Sequence, residues 1–278
     1  MKKRVLTAVV ALAVLLPILW FSDKLPFVVL LSAASVGAVL EGGRCFGIKP
    51  SSAVVVPFYI FAAVLPFVFR FLPGYDFLRI VFAALMLAVL FVFSAVTLGG
   101  SKVSFVKASS LCSFLIYILA GLNAILIVRD NASYRGEFMF MLIFLGAWIT
   151  DAGAQLTGIA FGKHKLIPQV SPNKTVEGAV GGAVCGVLGY AAYAAIVKFI
   201  YNVNVNWLAL VLLGLVIAVV DQLGDLIASR VKREHGIKDF GSLFPGHGGV
   251  IDRIDSIVSN AIVILAYTVF GLPLIFFN

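Results

Sequence analysis

Charge is sparse in this chain. Asp, Glu, Lys and Arg make up 12% of its 278 residues, hydrophobic side chains make up 62%, and the mean hydropathy is +1.08. Soluble domains carry about a quarter charged residues, so this scarcity excludes an ordinary water-soluble fold. Cysteine is nearly absent. Cys45, Cys112 and Cys185 are scattered, with no CxxC spacing and no histidine beside them, which excludes a disulfide framework and a zinc site. Long polar stretches are lacking too, and no soluble domain of ordinary size fits between the apolar runs. The excess of cations, 21 Lys and Arg against 13 Asp and Glu, lies in short loops. That placement argues against nucleic acid and for membrane orientation and contact with anionic headgroups or nucleotides.

What is present is a recurrence of apolar runs about 20 residues long, enough to cross ~30 Å of hydrocarbon as a helix. They fall at 5–21, 27–41, 52–72, 78–98, 104–128, 137–161, 176–200, 205–229 and 255–276. The pattern predicts an all-α, polytopic integral membrane protein with about nine transmembrane helices. The charged start Met1-Lys2-Lys3-Arg4 resembles a signal peptide, but no small-residue cleavage site follows, so the first run is expected to be retained. The second run is short and ends in Glu41-Gly42-Gly43-Arg44, which suggests tilt or partial re-entrance and a local Glu41–Arg44 ion pair. With the N-terminus inside, 15 of the 21 cations face inward: Lys2, Lys3, Arg4, Arg44, Lys49, Lys102, Lys107, Lys163, Lys165, Lys174, Arg230, Lys232, Arg233, Lys238 and Arg253. This bias predicts an N-in/C-out topology.

Chemistry is unevenly spread. Residues 1–100 read as structural transmembrane helices, whose phenylalanines are packing residues before they are a substrate groove. Residues 101–278 hold the candidate site, densest at 229–255. Asp151 stands inside the sixth run, where an acid costs about 2.5–3.5 kcal/mol on insertion scales. It is either a functional group facing a cavity or a buried acid bonded to a neighbour. Ser171, Asn173, Lys174 and Thr175 precede the seventh run. They suit helix capping, with Glu177 at the positive dipole end, and also a phosphate-binding corner.

Asp221 and Asp225 share one helical face at i, i+4, and Asp252 and Asp255 form a second pair at i, i+3. Two unpaired carboxylates so close repel, and a divalent cation removes the conflict. Oxygen-only ligands point to Mg²⁺ or Mn²⁺ rather than zinc, with room for a second cation. Between the pairs lie Lys232, Arg233, Lys238, Asp239 and the loop Pro245-Gly246-His247-Gly248-Gly249, which cannot form a stable helix. A solvated loop whose charges only fix topology is the plainer reading, but such loops need no aspartates. Acids, cations and a glycine-rich loop together suit metal-assisted phosphoryl transfer in a polar cavity facing the cytoplasm.

These residues resemble the integral-membrane phosphatidate cytidylyltransferases. That family's signature, S-x-[aliphatic]-K-R-x4-K-D-x-G-x2-[apolar]-P-x-H-G-G-[aliphatic]-x-D-R-[apolar]-D, is matched from Ser229 to Asp255. Asp151-Ala152-Gly153-Ala154 and Ser171-Pro172-Asn173-Lys174-Thr175-Val176-Glu177-Gly178 match its upstream segments, with Gln155 departing where an aromatic is common. The resemblance implies transfer of cytidylate from CTP to phosphatidic acid, giving CDP-diacylglycerol and pyrophosphate at the cytoplasmic face of the inner membrane. It also implies roles. Asp221, Asp225, Asp252 and Asp255 would hold Mg²⁺. Lys174, Lys232, Arg233, Lys238 and Arg253 would clamp phosphates, assisted by Asp151, Asp239, His247 and the Gly248-Gly249 backbone. Glycine-rich spans suit a homodimer. Two alternatives compete: an ion-coupled transporter binding its cation at Asp151, Asp221 and Asp225, and a phosphotransferase consuming CDP-diacylglycerol, whose fuller aspartate pattern is missing here.

Overall fold

The computed structural model describes residues 13–72, 75–98, 103–244, 246 and 248–277, and only the backbone of 75–78. Expectations for Lys2, Lys3, Arg4, Lys102, Pro245 and His247 lie outside the described residues. Helices dominate: α1 (13–20), α2 (Leu25–Cys45), α3 (Val56–Phe71), α4 (Tyr75–Leu98), α5 (Phe105–Arg129), α6 (Gly136–Phe161), α7 (Val176–Tyr201), α8 (Trp207–Glu234) and α9 (Ile251–Val269). Among the described residues, six segments are long and apolar enough to cross a membrane: α2, α4 from Arg79, α5, α6, α7 and α8. The protein is an all-α polytopic membrane protein.

Two expectations need correction. The second helix runs past Glu41, because α2 is continuous to Cys45. The last helix begins ahead of its apolar run, at Ile251, and ends at Val269. Gly271 takes a left-handed φ of +65° and Pro273 lacks an N–H, so the helix cannot continue. Beyond it Phe276–Phe277 forms a strand, β4, paired antiparallel with β3 (Asn204–Val205).

The chain forms two compact units, Met1–Asn123 with His235–Arg253, and Ala124–Glu234 with Ile254–Asn278. In the first, α2 packs on α3 around Phe27, Val55 and Phe58, each at most 1% exposed. The segment after α8 is stitched into this unit. Phe240 stacks on Phe114 at 5.7 Å and the His235 ring lies 4.2 Å from Phe46. The Val250 side chain sits where Gly37 has no Cβ.

In the second unit α6 and α7 form the most extensive helix pair. Side chains of one helix occupy the space left by glycines of the other: Cys185 over Gly153, Thr157 over Gly181 and Ile149 over Gly189. Such small-residue seams let backbones approach and gain dispersion contacts where the bilayer offers no hydrophobic drive. Tyr190, fully buried, donates its hydroxyl to the Leu142 carbonyl at 2.6 Å. Between α6 and α7 the chain makes a hairpin of β1 (Lys165–Ile167) and β2 (Ser171–Thr175), with Lys165 opposite Thr175 and Ile167 opposite Ser171. The hairpin delivers Lys174 just ahead of α7, which Thr175 caps by accepting the Gly178 amide at 3.1 Å.

Candidate active site

In the second unit, the C-terminal half of α8 carries Asp221 and Asp225 one turn apart. Asp221 is 0% exposed. Its Oδ1 accepts Asn260 Nδ2 of α9 at 2.9 Å, and its backbone carbonyl accepts Ser256 Oγ at 3.0 Å. Its Oδ2 is buried with no hydrogen-bond donor. Leaving such an oxygen unpaired costs about 1–3 kcal/mol, more when charged, so it is a candidate ligand for a cation. Asp225 Oδ2 lies 2.6 Å from Lys174 Nζ, and Ser229 Oγ reaches Asp225 Oδ1 at 3.4 Å. The Lys174 ammonium is buried and ion-paired with Asp225.

Asp255, on α9, accepts the Ser256 amide at 3.0 Å. Gly224 lies against the Asp255 carbonyl and Ser259, leaving no room for a Cβ and drawing α8 and α9 together. Asp151 and Lys174 act electrostatically on Asp221, and Asp151, Asp225 and Lys232 act on Asp255. Asp151 is exposed, which removes the alternative of a fully buried acid. Lys232 is 8% exposed, whereas Arg233 is exposed and its Nε donates to the Val170 carbonyl at 3.4 Å. Ser171 is half-buried and Asn173 exposed in β2, while Thr175 is occupied by its capping bond. Glu177 does more than face the dipole. Its carboxylate accepts the Lys163 amide at 3.0 Å and contacts His164 Nδ1 at 2.6 Å, closing the turn after α6.

In the first unit the signature's loop is held by carboxylates. Asp252 Oδ2 accepts the amides of Phe240 at 2.8 Å and Gly249 at 2.9 Å. Glu41 accepts Val250 at 2.8 Å and Ile251 at 2.9 Å. The Gly249 amide is thus engaged by the protein, and the carbonyl of Gly248, at φ +82°, accepts the Phe244 amide at 3.0 Å. Glu41 is spent on α9 instead of the expected local pair with Arg44. Lys238, Asp239 and Arg253 are exposed around this loop.

Among the described residues, no three His, Cys, Asp or Glu side chains form a ready-made metal cage. Mg²⁺ usually takes one or two carboxylates and completes its shell with water and substrate phosphates. The donors available, the unpartnered Asp221 oxygen with Asp225 and Asp255 nearby, are the hard oxygens such an ion requires. Sequence reasoning missed Asn260 and Ser256 as partners of Asp221, and it gave Glu41 a local partner rather than the amides of Val250 and Ile251. Asn260 and Ser256 are neutral residues in a helix that already carries Asp252, Arg253 and Asp255, so nothing in the sequence set them apart.

The sequence matches the Cytidylyltransferase family over residues 2–270. It is 35% identical over 259 residues to a protein of Staphylococcus aureus (strain COL) named phosphatidate cytidylyltransferase, covering 92% of this chain and 94% of that protein. Proteins of the same name from Staphylococcus haemolyticus (strain JCSC1435) and Staphylococcus epidermidis (strain ATCC 12228 / FDA PCI 1200) are 32% and 31% identical, each over 257 residues with the same coverage. A likeness that runs through nearly the whole chain leads to one conclusion: the chain belongs to the cytidylyltransferase family and is a CTP-using nucleotidyltransferase.

Proposed function

We propose that the protein transfers cytidylate from CTP to phosphatidic acid, giving CDP-diacylglycerol and pyrophosphate. The observation that carries this reading is a buried carboxylate oxygen on Asp221, without a hydrogen-bond donor among the described residues, together with the buried Lys174 ammonium that is ion-paired to Asp225 one helical turn away. One seeks a cation and the other a phosphate oxygen. The names of the relatives supply the lipid substrate.

A phosphate oxygen of phosphatidate attacks the α-phosphorus of CTP, a new P–O bond forms, and the bond to the β-phosphate oxygen breaks in line. A phosphate monoester is already a competent nucleophile, so no serine–histidine pair is needed. Lys174 turns from Asp225 toward a phosphate oxygen, and Lys232 offers a second buried cation. Lys238, Arg253 and Arg233 bind the more exposed phosphates through charge-assisted hydrogen bonds. Mg²⁺ (or Mn²⁺), held by Asp221 with Asp225 and Asp255, would offset the charge developing on the transferred group. Asp252 serves chiefly to hold the loop. The chain runs N-in/C-out in the cytoplasmic membrane with about nine spans, as a homodimer, with the site facing the cytoplasm. Membership of a nucleotidyltransferase family weighs against the transporter alternative.

The test is incorporation of radiolabelled CTP into lipid by purified protein in detergent. Label should enter the lipid phase only with both phosphatidate and Mg²⁺ present. Equal labelling in excess chelator would remove the metal from the mechanism, and no labelling by folded protein would refute the reaction.

A further inference from the structure

We infer that Glu41, in the N-terminal half of the chain, is a positioning residue for the reaction. It fixes the glycine-rich loop and the start of α9. This rests on the proposed function for its consequence, but the contact stands on geometry alone.

Glu41 is 5% exposed, and both carboxylate oxygens are used: Oε1 by the Val250 amide at 2.8 Å and Oε2 by the Ile251 amide at 2.9 Å. The first amides of a helix have no partner within it. Here a residue 210 positions away in sequence supplies the cap from another helix. A carboxylate at this end is also favoured by the helix dipole.

Two signature glycines report the same contact. A Cβ on Gly241 or on Gly249 would collide with the Glu41 carboxylate. The end of a glutamate ordinarily swings aside, but this one would forfeit two amide bonds in moving. Glu41 and Asp252 together hold the amides of Phe240, Gly249, Val250 and Ile251. Consequently the N-terminus of α9 is filled by the protein's own carboxylates, and this loop serves substrate through side chains such as Lys238 and Arg253 rather than through these amides. Glu41 sets where those side chains stand.

The experiment compares Glu41→Gln, Glu41→Asp and Gly241→Ala with the wild type in the labelling assay, alongside amide hydrogen exchange and melting temperature. Gln presents an N–H donor to one of the two amides. It should lower kcat/KM by about 10- to 100-fold and speed exchange at Val250 and Ile251 with little change in melting. Asp keeps two acceptor oxygens and should recover part of both readouts. Gly241→Ala leaves Glu41 present but displaced, and should reproduce the Gln phenotype even if Glu41→Gln does not fold. Wild-type turnover in Glu41→Gln, or in Gly241→Ala, overturns the inference, as does slowed turnover with unchanged exchange at those amides. An inactive wild type would instead refute the proposed reaction, and the exchange data would still decide the contact.

Discussion

Replacing Lys174 with Met separates what the Lys174–Asp225 pair does for the fold from what it does for turnover. The two charges stand 2.6 Å apart, with side chains 21% and 28% exposed. Coulomb attraction at that distance is about 6 kcal/mol at an effective dielectric constant of ~20. Desolvation and side-chain ordering cancel much of it, leaving a net loss of about 1–3 kcal/mol when one partner is removed. The single variant therefore melts several degrees lower in detergent. Adding Asp225→Asn removes the stranded carboxylate and recovers most of that loss. Turnover behaves differently. A charge-assisted bond from Nζ to phosphate is worth about 1.5–3 kcal/mol, or roughly 10- to 150-fold in kcat/KM. The double variant, with its stability restored, stays at least that slow. Thermal unfolding followed by size-exclusion chromatography, run beside the CTP-labelling assay, reads both quantities. If the double variant recovers both stability and turnover, Lys174 is a structural partner only and the phosphate role fails.

Three further outcomes follow from the same geometry. Asp221→Asn keeps the side-chain shape but loses the anion, so melting holds or rises while turnover falls about 100-fold or more; turnover restored by excess Mg²⁺ would show that the carboxylate is not essential. Gly153→Ala drives a Cβ into Cys185 and lowers stability by about 1–3 kcal/mol, and Cys185→Gly in the same chain recovers most of it; no recovery would mean the seam adjusts elsewhere. A cysteine placed at exposed Ser242 should react with a membrane-impermeant thiol reagent in inside-out vesicles and not in right-side-out ones, and the reverse pattern would invert the proposed topology.

The sequence by itself determined the fold class. Among the described residues, the apolar runs from the second to the eighth became helices within a few residues of the expected positions, because in hydrocarbon a helix satisfies its own backbone. It also marked Asp151, Asp221 and Asp225, since an ionised group in an apolar span is too costly to be incidental, and Lys174 as part of a phosphate-binding corner ahead of a helix. Only the tertiary structure decided what each carboxylate faces. Asp221 and Asp225 share one helix face, yet Asp225 meets Lys174 from a hairpin that no periodicity announced, while Asp221 meets Asn260 and keeps one oxygen unpartnered among the described residues. Asp252 and Asp255 sit three residues apart, but Asp252 holds the amides of Phe240 and Gly249, whereas Asp255 sits among the charges of the second unit. Glu41 reads as the partner of nearby Arg44 and instead caps a helix 210 positions on. Helix formation is decided by neighbours along the chain, whereas the partner of a buried charge is decided by whichever group packing brings within 3 Å.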